Sequence, residues 1–198
     1  MKSRFEIRIA GAGGQGVILC SIILAEAAFL AGKNVAQSQS YGPEARGGLC
    51  RAELIISEAN IVYPKVTRAD FLLALTQASL DKFGPDTAGD ALIVMDSSLL
   101  APENLGSDNV TALPILHTAS KVVGNSLTAN IVTAGAINAL LGIAADKLME
   151  QAVRMHIPLE TEAVNLLALS EGRKLGALAQ QAVHCRNLRR TDSGRLAL

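Results

Sequence analysis

The sequence predicts an α/β fold, and three observations carry the prediction. From Phe5, "FEIRIAG" alternates apolar and polar residues, then passes into a glycine loop, a helical pattern and a second strand-like run. "DFLLALT" (Asp70 to Thr76) and "ALIVMD" (Ala91 to Asp96) are continuous apolar runs of strand length, the pattern of strands buried on both faces. "RAELIIS" and "NIVYP" are separated only by Glu58 and Ala59 and read as a hairpin ended by Pro64, which makes the sheet mixed. The expected architecture is therefore a single Rossmann-like three-layer domain with a mixed, mostly parallel sheet and a β-hairpin insertion.

The remaining elements follow in order. Between Gly14 and Gly32 the pattern is helical, with Val17, Leu24 and Ala28 on the buried face and Gly32 as the stop. "NVAQSQ" is the second strand. A helical stretch around Ser79 to Phe83 joins the two apolar strands, and "VTALPIL" is a further strand that Pro114 restricts to an edge or a strand end. The rest reads as helix over His117 to Val123, Thr128 to Leu141, Ala145 to Met155 and Glu160 to about Val183. Ala134, Gly135 and Ala136 are small enough for close packing against a neighbouring element.

Composition narrows the function. The chain of 198 residues has room for one substantial core, and the reading is one domain over 1–183 with a basic, flexible tail over 184–198. Hydrophobic residues make up 49% and charged residues 18%, a surplus that a partner subunit, or a second copy in isolation, would cover. A net charge of +0 and a pI near 6.8 give no nucleic-acid footprint. The run from Val17 to Ala31 is broken by Ser21 and Glu26, short of the roughly 18 to 20 apolar residues a span requires. "MKSRFEIRIAG" enters a strand without an apolar signal region, so the expectation is a soluble, cytoplasmic protein. Cys20, Cys50 and Cys185 and the three histidines are scattered, with no metal-ligand spacing.

Two loops stand out. Gly11, Gly13 and Gly16 fit G-x-G-x-x-G between a strand and a helix, where bare backbone and a helix start favour an approaching anion. The dinucleotide reading then requires an acidic residue about 20 positions further on. Here Gln37, Ser38, Gln39 and Ser40 end the second strand, and no Asp or Glu occurs from Ala27 through Tyr41. A tight turn, or approach to another ligand or subunit, fits better. The second loop, "SQSYGPEARGG" (Ser38 to Gly48), combines a Gly42-Pro43 bend with Arg46 beside the bare backbone of Gly47 and Gly48. Arg46 is suited to a carboxylate or phosphate, or pairs with Glu44 to hold a surface turn.

"GAGGQG" followed by "QSYGPEARGG" closely resembles the gamma subunit of the 2-oxoacid:ferredoxin (2-oxoacid:acceptor) oxidoreductases, and most of all the 2-oxoglutarate type. The resemblance continues through "YPKV" (Tyr63 to Val66), "FLLALTQ", "LIVMDSSL" and "GNSLTANIVTAGAINAL" (Gly124 to Leu140). It implies a non-catalytic subunit of a complex that decarboxylates a 2-oxoacid on thiamine diphosphate and passes electrons through iron-sulfur clusters to ferredoxin, forming an acyl-CoA. Thiamine diphosphate, magnesium and clusters then reside on sister alpha and beta subunits, with or without a small ferredoxin-like one, and CoA is a co-substrate. This chain alone holds no cofactor or metal and no catalytic residue. The implied cofactor-binding or subunit-docking walls are Gly11, Gly13, Gly14, Gln15 and Gly16 on one side, and Ser40, Tyr41, Gly42, Glu44, Arg46, Gly47 and Gly48 on the other. The competing readings are a stand-alone NAD(P) dehydrogenase and a nucleotide- or CoA-binding regulator.

Overall fold

Strand β1 (Arg4–Ala12) sends Phe5, Ile7 and Ile9 into the main core and Ala10 into a second, smaller one, so both faces of the sheet are used. The computed structural model describes residues 3–41, 48–101 and 110–195, with side chains except at 41 and 184–195. After β1 come α1 (Val17–Leu30), β2 (Asn34–Tyr41), β3 (Leu49–Ser57), β4 (Ala69–Ala74), α2 (Gln77–Phe83), β5 (Thr87–Asp96) and β6 (Val110–Leu113). Then follow α3 (Ile115–His117), which continues as a π-helical turn over Thr118–Val122, and α4 (Ala129–Leu141), α5 (Asp146–His156) and α6 (Glu162–Arg195).

The six strands lie in the order β2-β3-β1-β4-β5-β6. Strands β1, β4, β5 and β6 run parallel, whereas β3 is antiparallel to both β1 and β2. The mixed, mostly parallel sheet and the edge position of β6 agree with the sequence reading. The hairpin does not fall where the sequence placed it. It is formed by β2 and β3, joined through residues 42–47, and "NIVYP" forms no strand. The reason is steric: β3 is flanked on one side by β1 and on the other by β2, so no edge is left for a following strand. Pro64, which has no N–H to donate, adds to this. Val62 and Tyr63 are instead exposed, at 94% and 54%.

Helices α1, α4 and α5 cover one face of the sheet, and α6 lies over α4. On the other face Leu80 and Phe83 of α2 pack against Ala10, Leu72, Ala74, Ile93 and Met95. Thr76 caps α2 by accepting from the Ser79 N–H at 3.3 Å. Among the described residues no helix covers this second face over β2 and β3. That half is polar and centres on Arg8, which is only 3% exposed and donates to Glu53 at 2.9 Å and to Asp86 at 2.7 Å. A buried guanidinium needs such partners, because an unpaired charge there costs several kcal/mol, on the order of 3–5.

The close packing expected at Ala134, Gly135 and Ala136 is present, the neighbouring element is helix α6, and the contact is reciprocal. A methyl group on Gly135 would strike the Leu169 carbonyl oxygen of α6. One on Gly172 would strike Val132 O, and one on Gly176 would strike Ala136 O. Backbone thus meets backbone along the α4–α6 seam. Helix α6 begins two residues later than predicted and its backbone runs on to Arg195, across the boundary expected at 183/184. No helix among the described residues is long and apolar enough to cross a membrane.

Gly172→Ala should lower unfolding stability by about 1–3 kcal/mol, since backbone cannot move aside as a flexible side chain does. Gly89→Ala, whose new methyl would meet open space, should stay within about 0.5 kcal/mol of the parent in the same urea titration.

Candidate functional site

The register of β1 against β3 brings the two loops together. Ala12, the last residue of β1, lies opposite Leu49, the first of β3. One step beyond, the Gly13 N–H donates to the Gly48 carbonyl at 2.9 Å. The end of the second loop is therefore fastened to the start of the glycine-rich one. The two loops do not follow adjacent strands, as the doubly wound analogy would have it. They meet because β3 returns antiparallel and starts beside the carboxyl end of β1.

Each described residue of the glycine-rich loop has a definite task. Gln15 closes the turn on itself: its Oε1 accepts from the Ala12 N–H at 2.7 Å while its own N–H donates to the Ala12 carbonyl at 3.1 Å. A Cβ on Gly11 would lie 2.5 Å from Gln15 Oε1 and 3.1 Å from Val17 Cγ1, so a side chain there would displace the Gln15 amide that closes the turn. Gly14 and Gly16 have φ of 98° and 71°, the left-handed region that disfavours side chains. A Cβ on Gly16 would also lie 2.7 to 2.9 Å from Asn130 at the start of α4. Gly13 and Gly14 are exposed, and no side chain caps the start of α1. The result is a rigid, bare stretch of backbone next to a helix N-terminus.

On the other wall Gly48 is buried beneath this junction, and Ser40 is exposed and opposite Arg51 in the β2–β3 ladder. The backbone of Tyr41 ends β2 opposite Cys50. Gly42, Glu44, Arg46 and Gly47, together with the side chain of Tyr41, lie outside the described residues.

Two contributors to this end of the sheet escaped the sequence reading as site residues. Asn130 is 7% exposed, packs against Gly16 and accepts from the Ile131 N–H at 2.9 Å. An asparagine in the first turn of an apolar helix was its signal. Asp96, 2% exposed at the end of β5, ties that end together: Oδ1 accepts from the Ser98 hydroxyl at 2.6 Å and from its N–H at 3.0 Å, and Oδ2 from the Leu116 N–H at 2.8 Å. Asp96 thus clamps the end of β5 to the Ser98 turn and to the start of α3.

Burial pushes the Cys20 and Cys50 thiols up, so neither supplies a ready thiolate. No group of three or more His, Cys, Asp or Glu side chains among the described residues could hold a metal ion. The dinucleotide arrangement is also altered in topology. The strand after the first helix should lie beside β1 and offer its end to a ribose. Here antiparallel β3 takes that place and β2 is pushed to the edge.

Gly16→Ala should be about 1–3 kcal/mol more destabilising than Gly14→Ala in a denaturant titration. Both adopt positive φ, but only Gly16 faces Asn130, whereas a methyl on Gly14 meets open space.

Comparison with known proteins agrees with this picture. Residues 6–175 match the family described as pyruvate ferredoxin/flavodoxin oxidoreductase. The chain is 40% identical over 175 residues to the 2-oxoglutarate synthase subunit KorC of Methanocaldococcus jannaschii, covering 87% of this chain and 94% of that protein. It is 44% identical over 149 residues to the KorC subunit of Archaeoglobus fulgidus, covering 75% and 76%. Among solved structures, the gamma subunit of a keto/oxoacid ferredoxin oxidoreductase from Geobacter sulfurreducens superposes with a TM-score of 0.78 at 41% identity, covering 89% of this chain and 98% of that one. With the family matched over residues 6–175 and a 40% identical relative covered over 94% of its length, the chain belongs to the pyruvate ferredoxin/flavodoxin oxidoreductase family.

Proposed function

We propose that this chain is the gamma subunit of a multi-subunit 2-oxoacid:ferredoxin oxidoreductase that acts on 2-oxoglutarate. The observation that carries the reading is the match over 94% of the length of a separate 2-oxoglutarate synthase subunit. A relative that is itself one subunit implies sister chains. In this assignment the decarboxylation on thiamine diphosphate and the electron transfer through iron-sulfur clusters to ferredoxin belong to those sisters. The acceptor of the acyl group is CoA.

The site geometry supports a recognition role. Exposed Gly13 and Gly14 next to the start of α1 allow close approach to the backbone without side-chain obstruction. The joined loops form one wall against which a sister subunit, or the anionic part of CoA held by it, docks. Arg46 supplies the charge for such a partner, and Tyr41 a rigid amphipathic contact. The working enzyme is cytoplasmic.

The chain should be tagged in its native host, purified anaerobically and assayed for CoA-dependent dye reduction. The expected result is co-purification of thiamine- and cluster-bearing chains with turnover of 2-oxoglutarate at least ten-fold above pyruvate. Recovery of the chain alone, inactive with every 2-oxoacid but retaining a nucleotide, would contradict the assignment.

A further inference from the structure

Beyond the joined loops, the "YPKV" segment and the helix-free half of the sheet have no role in the reading above. They form one feature, a cleft of about 450 Å³ walled by Pro64, Lys65, Val66 and Thr67 and floored by β2, β3 and β1. We propose that this cleft docks an extended segment of a sister subunit that carries an acidic side chain next to an apolar one. The inference rests on the gamma-subunit reading and assigns it a second contact surface.

The charges in the cleft fall into two classes. Arg8, in the floor, is already neutralised by Glu53 and Asp86 and fixed by them. Arg51 is 38% exposed and its nearest carboxylate, Glu53, is 3.9 Å away and already engaged by Arg8. Lys65 is exposed and has no acid at ion-pair distance among the described residues. Two cations in a cleft of fixed shape thus remain available to a carboxylate from outside. Ser38 and Ser40, set opposite Glu53 and Arg51 in the ladder, place hydroxyls on the same face, suited to the backbone of an extended chain.

The rim adds the apolar half of the specification. Val62 and Tyr63 are 94% and 54% exposed just before the Pro64–Thr67 wall. Their loop is not slack. Arg4 donates to the Lys65 carbonyl at 3.1 Å, the Thr67 N–H donates to Glu6 Oε2 at 2.8 Å, and Arg68 donates to the Thr87 carbonyl at 3.0 Å. Large apolar side chains held out by an anchored loop are the kind of surface that a partner covers. The volume points the same way, since a single small anion would leave most of the cleft empty.

The test is amine labelling of the wild-type chain, isolated and within the anaerobically purified complex, read residue by residue by mass spectrometry. Lys65 should be labelled at least ten-fold more slowly in the complex, and exposed Lys147 on α5 at the same rate in both. In parallel, the Arg51→Glu, Lys65→Glu double variant should recover at least ten-fold less sister subunit at physiological salt. Its thermal unfolding should match the parent, and Lys147→Glu should recover the normal amount. Equal labelling of Lys65 in both states overturns the proposal, as does normal recovery with the double variant or equal loss with Lys147→Glu. Protection of Lys65 in the isolated chain by millimolar inorganic phosphate would assign the cleft to a small anion and also overturn it. If the wild-type chain is recovered without sister subunits, the gamma-subunit reading itself fails. The labelling arm does not depend on any variant folding.

Discussion

The antiparallel pairing of β3 with β1, unbroken from Arg4↔Ser57 to Ala12↔Leu49, is the constraint on which the rest of the molecule depends. It separates β2 from β1 and fills the position where a dinucleotide domain would place its second strand. It also carries Gly48 to Gly13, so that two loops distant in sequence become one surface. It sets Arg8 opposite Glu53, which gives a buried guanidinium the partner it needs. Slipping this register by one residue would turn Arg8 into the apolar core and Ile7 and Ile9 out of it.

The two faces of the sheet do different work because of this arrangement. One face is closed by α1, α4 and α5 and, through a seam of glycines with no room for a methyl group, by α6. It gives the domain its stability. Among the described residues, the other face is closed over β1, β4 and β5, where α2 supplies Leu80 and Phe83. Over β2 and β3 it stays polar, and Arg8 and Arg51 both lie over the Phe83 ring, at 5.3 and 5.6 Å from its centroid. A sheet face that no helix among the described residues covers over β2 and β3 fits a chain that works inside a larger assembly.

Much of this was legible in the sequence, and the failures have a common cause. Strands β1, β4 and β5 and helices α1 and α2 were readable because their patterns are local: alternation, apolar runs and a glycine stop at Gly32. The glycine-rich turn was readable for the same reason, since it sits between a strand and a helix. The hairpin was misplaced because a run such as "NIVYP" carries strand propensity but no information on whether its neighbour still has a free edge. The stronger turn signal, Gly42-Pro43 with Gly47-Gly48, lay in a loop read as a binding element or a surface turn and not as a hairpin connection. Arg8 and Glu53 went unremarked because alternation in "FEIRIAG" predicts which residues share a face, not that the face is buried. Asn130 and Gly16 meet only through tertiary packing, which no local pattern encodes.

The central claim is that the surface built by the Gly13–Gly48 junction is a contact surface of the assembled enzyme. Amide hydrogen exchange of the chain, isolated and within the anaerobically purified complex, tests it most directly. The account predicts that the amide of exposed Gly14 exchanges at least ten-fold more slowly in the complex, while those of Leu159 and Glu160, just before α6, are unchanged. Equal exchange at the glycine-rich loop in both states would contradict it, and would leave the two loops as a structural turn alone.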